Sequence, residues 1–253
     1  MLPDQFQIHQ WLKPETFPAS CAGEVHLWKV SLDEPVEWNQ LREILSSPER
    51  QRAARFYFKK DEQEYSLTRA ALRKIIGDYI NLPPDRIEFS YETNGKPALA
   101  KHLSYFNLKF NVSHTKGMAL IAIGFRQRVG VDIEFIRPDL VTAQTARLFF
   151  SAEEFEIFQK LPEAARVKSF FLCWTRKEAL VKATGDGLAY PLNQLHIPTL
   201  NPNELSRTIK VKEKRDTNWE IHDLLIDENY AAALAIEKKG SAIKKWSYDF
   251  AEN

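Results

Sequence analysis

The residues best suited to chemistry are two acids on one strand. Val129–Phe135 reads VGVDIEF, and alternate side chains on a strand share a face. Asp132 and Glu134 therefore point one way, and Val131, Ile133 and Phe135 the other. Two carboxylates side by side on an otherwise apolar strand repel each other unless a positive charge lies between them. Magnesium, which prefers carboxylate, phosphate and water oxygens, would serve. Taken alone, the pair also suits an edge strand with a solvated acidic face. A third acid comes from Trp174–Lys182, WTRKEALVK. Glu178 and Lys182 are four apart and share one helix face. As a surface ion pair they would be unremarked, but Phe170, Phe171, Trp174 and Leu180 pack this helix inside. The pair is then expected to face a cleft, where Glu178 completes a three-carboxylate cation site and Lys182 lies beside the phosphates that the metal holds.

Other segments offer donors to an anion. Phe110–His114 reads FNVSH. Adjacent strand residues point to opposite faces, so Ser113 and His114 do not meet as nucleophile and base, and the chain has no G-x-S-x-G. A strand ending in Ser-His suits hydrogen bonding to an anion, or is simply a strand terminus. Gly95-Lys96-Pro97 is by itself a turn. Arg50, Arg52, Arg55, Arg69 and Arg73 form a basic run without an opposing acidic one. It is either a solvated face or a receptor for a phosphomonoester.

These residues need elements to hold them. Val25–Val30 (VHLWKV) reads as a strand after an irregular N-terminal stretch of about 22 residues. Ser46-Ser47-Pro48-Glu49 is a helix start, with a serine cap, proline just inside and an acid in the first turn. A second helix spans about Asp61–Tyr79, with Leu67, Ala71, Leu72, Ile75 and Ile76 on its apolar side and Pro83-Pro84 beyond it. Ile87–Tyr91 is a strand, residues 93–97 a turn, and Phe110–Ser113 and Ala119–Phe125 paired strands. The second half repeats the order: strand 129–135, a helix start at Ser151-Ala152-Glu153-Glu154, a long helix Glu163–Thr184 stopped by Gly185, and strands at 209–214, 219–225 and 230–237. Ala71–Lys74 with Gly77 overlays Ala179–Lys182 with Gly185. Residues 118–123 likewise resemble 232–236. The expected fold is α+β, two similar halves at 1–127 and 128–253, with the carboxylates in the second.

The 253 residues, 44% hydrophobic and 27% charged, suit a globular protein of one large or two modest domains. A net charge of +1 argues neither for nor against nucleic acid. Cys21 and Cys173 lie far apart and make a disulfide framework or zinc site improbable. The N-terminus lacks a signal-peptide pattern, and the most apolar stretch, Met118–Phe125, is too short to span a bilayer. A cytoplasmic location is expected.

Taken in order, G-K-P, F-N-V-S-H, V-G-V-D-I-E and W-T-R-K-E-A-L-V-K, preceded by an R-x-x-L-R helix, resemble the Sfp-type 4′-phosphopantetheinyl transferases over about Ser46–Gly187. VHLW and A-T-G-D-G-L further resemble the cyanobacterial branch, including heterocyst-associated members. The resemblance implies coenzyme A bound between two pseudosymmetric halves and a serine of an apo acyl or peptidyl carrier protein attacking the β-phosphate. Phosphopantetheine is transferred and 3′,5′-ADP leaves. It implies Mg²⁺ on Asp132, Glu134 and Glu178. Lys182 would stabilise or protonate the leaving phosphate, and Ser113 and His114 would contact phosphates, with His114 counted among the catalytic groups. Lys96 and one of Arg50, Arg52 and Arg69 would hold the 3′-phosphate, with Pro97 near the adenine. The Arg50–Arg55 segment is one residue shorter than in some members, so the pattern does not assign that phosphate to one arginine. Glu178 is the expected proton acceptor for the serine, directly or through water. A monomer is expected, with no nucleic-acid or membrane partner. The residues alone also suit another Mg²⁺-dependent nucleotide phosphohydrolase or transferase, or a non-catalytic coenzyme A- or carrier-binding protein.

Overall fold

The computed structural model describes residues 11–19, 21–34, 36–92, 95–187, 190–197, 208–212, 218–237 and 240–250. The first ten residues, Thr93 and Asn94 of the expected turn, Leu188 of the A-T-G-D-G-L segment, and the end of the strand expected at 209–214 lie outside them. In chain order the elements are β1 (Glu24–Ser31), α1 (Trp38–Ile44), α2 (Ser47–Ala53), α3 (Lys59–Ile80), β2 (Phe89–Tyr91), β3 (Pro97–Leu99), β4 (Leu108–Thr115) and β5 (Met118–Phe125). Then come β6 (Val129–Phe135), α4 (Ala143–Phe149), α5 (Ala152–Lys160), α6 (Glu163–Thr184), β7 (Thr208–Lys212), β8 (Asn218–Asp223), β9 (Tyr230–Ile236) and β10 (Ala242–Tyr248).

They form two α+β units. The first takes the described residues up to Ser90, Pro97–Arg126, and those from Ala242 on; the second takes Tyr91–Lys96 and Gln127–Ser241. This differs from halves cut at 127/128. Strand β10 pairs in parallel with β1, Trp28 opposite Trp246, so the chain's C-terminal strand completes the first sheet. The tip of the β2–β3 hairpin goes with the second unit. The first sheet has the order β10-β1-β5-β4, and the second β6-β9-β8-β7.

In the first unit, Leu67, Ala71, Leu72, Ile75 and Ile76 of α3 are buried with Trp28, Val30, Phe110, Ile121 and Ile123 of the sheet, which is the apolar face expected from their spacing. In the second, Ala179, Leu180 and Ala183 of α6 pack with Trp219, Ile221, Ala233 and Ala235.

The units share a construction that sequence spacing hinted at. Both long helices have 22 residues, and both end on a left-handed residue, Asn81 at φ 53° and Gly185 at φ 82°. The helical overlay therefore shifts by one turn. Gly77 is interior to α3, and Asn81 is the counterpart of Gly185. In both units a short helix opens with a capping box whose glutamate is buried. Glu49 accepts the Ser46 backbone N–H at 2.8 Å and the Arg69 and Arg73 Nε–H groups at 2.6 and 2.7 Å. Glu154 accepts the Ser151 N–H at 2.7 Å, the Lys177 ammonium at 2.5 Å and the Ile197 N–H at 2.7 Å. In each unit one of these cations then ties down further backbone carbonyls. Arg73 Nη1 donates to Pro84 and Ile87, and Lys177 Nζ to Phe149 and Leu192. Arg73 and Lys177 fall at the same place in their helices, which fixes the corrected overlay independently.

Burial alone would push the Glu49 carboxyl up, but Arg69 and Arg73 more than offset it and hold it below the usual carboxylate range. Its stabilisation is thus present above the unfolded value near 4.5 and is lost as pH falls through the lowered folded value. Substituting Glu49→Gln leaves two buried guanidinium groups without their counter-charge. It is expected to lower the unfolding free energy by about 3–5 kcal/mol in urea titrations followed by circular dichroism at pH 7.

Candidate active site

The acids lie on β6, in the second unit. Val131 and Ile133 are wholly buried on one side of the strand, and Asp132 on the other is 2% exposed. Across the antiparallel ladder Asp132 faces Ala233 and Glu134 faces Ala231, so small side chains flank both carboxylates. Helix α6 brings Glu178 and Lys182 to the same place, one turn apart. The Lys182 ammonium lies 2.6 Å from Asp132 Oδ1.

The charges respond to one another. Burial and then the Asp132 carboxylate push Glu134 up to about 7, with Lys182 pulling the other way and Glu178 adding to the rise. Burial and then Asp132 also push Glu178 up. Three carboxylates thus repel each other in a place largely removed from water, and the ammonium of Lys182 offsets part of the repulsion. Among the described residues, no group of three His, Cys, Asp or Glu is gathered closely enough to form a ready coordination shell. The donor set nevertheless fits a hard divalent cation: three carboxylates, no sulfur or imidazole, and a net negative charge that the protein only partly compensates.

Lys96 joins this group from the hairpin. Its ammonium donates to the backbone carbonyl oxygen of Lys182 at 2.5 Å, which anchors the last turn of α6. Gly185 then ends the helix in the left-handed conformation that glycine adopts at no steric cost.

The remaining residues are in the first unit, at separate places. Ser113 is 7% exposed, opposite Leu120, whereas His114 is exposed on the other side of the β4 edge strand, opposite Ala119. The alternation expected of a strand holds, and the two do not meet as a catalytic pair. Arg50 caps α1, its guanidinium donating to the carbonyls of Arg42 and Leu45. Arg69 is buried against Glu49 with its guanidinium 4.6 Å from the Phe89 ring centre. Arg52 is exposed, and its guanidinium lies 5.3 Å from the Tyr65 ring centre. A hollow of about 640 Å³ is lined by Pro48, Gln51, Arg52, Arg55 and Phe56. Spacing does not separate Arg55 from the rest of the basic run; its place on the hollow does. Pro97 opens β3 and is half-buried.

Comparison with known proteins agrees along the chain. Residues 128–235 match the model of the 4′-phosphopantetheinyl transferase superfamily, and residues 27–124 that of the 4′-phosphopantetheinyl transferase N-terminal domain. The chain is 37% identical over 241 residues to the 4′-phosphopantetheinyl transferase HetI of Nostoc sp., covering 95% of this chain and 99% of that one. It is 36% identical over 155 residues to the 4′-phosphopantetheinyl transferase psf-1 of Bacillus pumilus, covering 61% and 64% of the two chains. With the human L-aminoadipate-semialdehyde dehydrogenase-phosphopantetheinyl transferase the figures are 28% over 219 residues, 80% and 70%. With both units matched and a full-length relative well above the range of chance similarity, the chain belongs to the 4′-phosphopantetheinyl transferase superfamily and is a transferase.

Proposed function

We propose that this transferase moves 4′-phosphopantetheine from coenzyme A to a serine hydroxyl of an apo acyl or peptidyl carrier protein, in the presence of Mg²⁺, and releases 3′,5′-ADP. The observation that carries the reading is the convergence of Asp132, Glu134, Glu178 and Lys182 where β6 meets α6. In the reaction the serine oxygen forms a bond to the β-phosphorus of coenzyme A. The bond from that phosphorus to the oxygen bridging it to the α-phosphate breaks, and 3′,5′-ADP carries that oxygen away. Phosphoryl transfer of this kind needs charge compensation and in-line placement more than covalent help. Asp132, Glu134 and Glu178 would hold Mg²⁺, which supplies positive charge to the diphosphate.

Glu178 takes the serine proton, directly or through water, its carboxylate being a stronger base than an exposed glutamate because burial and Asp132 raise its affinity for protons. Lys182 donates a hydrogen bond to the departing phosphate. Arg52 and Arg55, which line an exposed hollow, are the groups proposed to receive the 3′-phosphate. Arg50 and Arg69 are already committed to α1 and to Glu49. Lys96 donates one hydrogen bond to the Lys182 carbonyl, and an ammonium carries further donors for a phosphate. Ser113, His114 and Pro97 remain the further contacts proposed for coenzyme A. The protein is proposed to act in the cytoplasm as a monomer; no described helix is long and apolar enough to cross a membrane.

Incubation with coenzyme A, Mg²⁺ and an apo carrier protein tests the whole reading. Mass spectrometry is expected to show a phosphopantetheine adduct on the carrier. Hydrolysis of coenzyme A without an adduct would instead make the protein another nucleotide-cleaving enzyme, and binding without turnover a carrier- or coenzyme-binding protein. Glu178→Gln is expected to lower kcat by about 10²–10⁴-fold; wild-type turnover with unchanged Mg²⁺ affinity would remove Glu178 from the role of base.

Protonation and metal compete at Glu134. With its carboxyl pushed up to about 7, apparent Mg²⁺ affinity is expected to rise with pH through about 7, as read by calorimetry. The same raised value destabilises the metal-free fold as pH climbs from 4.5, where unfolded glutamate ionises, towards 7. Accordingly Glu134→Gln is expected to raise the metal-free Tm at pH 8, to leave it unchanged at pH 4, and to weaken Mg²⁺ binding.

A further inference from the structure

Gly130 lies two residues before Asp132 and four before Glu134, on the same face of β6. A Cβ at this position would run into the carbonyl oxygen of Ala179 and the amide nitrogen of Ala183, and would lie 2.8 Å from the Ala183 methyl. Two of these three obstacles are helix backbone, which cannot rotate aside. The α6 backbone therefore rests directly on the strand at Gly130. The residues touching it immediately follow Glu178 and Lys182, and Lys182 reaches Asp132 at 2.6 Å.

The first unit supplies an internal comparison. Its helix α3 has the same length and the same left-handed ending. Lys74 and Asp78 stand at the places in α3 that Glu178 and Lys182 occupy in α6. Its strand β1, EVHLWKVS, is the one paired with β5 as β6 is with β9, yet it carries no glycine, and on the face that packs with α3 it presents the buried side chains of Trp28 and Val30. The unit with the carboxylate cluster is thus the one in which a strand residue without a side chain admits the helix backbone.

We infer that Gly130 is a positioning residue for the transfer reaction: by having no Cβ it sets the distance between α6 and β6 at which Glu178 and Lys182 engage Asp132 and Glu134. The inference rests on the reaction proposed above. Adding a methyl group forces the helix to withdraw by about 1 Å, and a misplacement of that order costs about 100-fold in rate.

The test compares Gly130→Ala with Gly77→Ala in the intact protein. Gly77 is a less tightly constrained glycine of the first unit, where a Cβ would lie 2.6 Å from the Leu82 carbonyl oxygen and clear of other atoms to 3.7 Å. Both variants are expected to melt at lower temperature. Only Gly130→Ala is expected to lower kcat, by about 100-fold, and to weaken Mg²⁺ binding, with affinity for coenzyme A measured without Mg²⁺ retained. If Gly130→Ala does not fold, Ala183→Leu crowds the same contact from the helix side and is expected to give the same split between kcat and coenzyme A affinity. Wild-type kcat in a folded variant overturns the inference, as does an equal loss of kcat in Gly77→Ala, which would make the effect one of general stability. Absence of carrier modification by the wild-type protein would instead overturn the proposed reaction.

Discussion

Mutual repulsion among three carboxylates is the constraint on which the second unit is built. Asp132, Glu134 and Glu178 are held where water screens them poorly, and two of them resist ionisation as a result. A structure that minimised its free energy alone would not gather them. They stay together because their backbones have no freedom to separate. Two are fixed by the β6–β9 ladder, and the third by a helix anchored against the strand and by Lys96 at its last turn. Lys182 supplies one compensating charge. What Lys182 leaves uncompensated is excess negative charge, which an added cation would relieve.

The helices that carry these groups are themselves fixed by a repeated polar device. A capping-box glutamate, buried rather than solvated, reaches a cation on the neighbouring long helix, and that cation reaches loop carbonyls beyond. In the first unit the cations are arginines, which can fork between a carboxylate and two carbonyls. In the second a lysine does the same with its three donors. The helix starts, the loops and the long helices are thereby locked into one geometry in each unit, and exposed surface ion pairs such as Lys59 with Glu62 add little to it.

Much of this was legible in the sequence because periodicity and capping are local. The β6 span and the α6 span were readable to the residue, since alternation, apolar spacing and a terminal glycine all agreed. Asp132, Glu134, Glu178 and Lys182 could be grouped because strand and helix spacing each put two of them on one side. The short helices α1 and α4 leave no such trace, each being only seven residues long and spanning too few turns to show a period. Strand β10 leaves only a weak pattern because it is half-exposed, and its partner is distant in sequence. The tasks of Arg50, Arg69 and Lys96 were hidden for a similar reason. Which acceptor a cation finds is decided by tertiary neighbours, and a basic run in a sequence names none of them. Spacing also misled once, when matching alanines and glycines suggested an overlay one turn away from that set by the helix ends and the buried ion pairs.

Strand β10 lies in parallel beside β1, although nearly the whole chain separates them. On the ribosome this orders events. One side of β1 has no strand of its sheet to pair with until Ala242–Tyr248 has been made. Closing so long a loop is slow, and until it closes β1 offers its backbone hydrogen bonds to any extended chain nearby. The unit whose first strand is made earliest is therefore completed only by the last of the described strands.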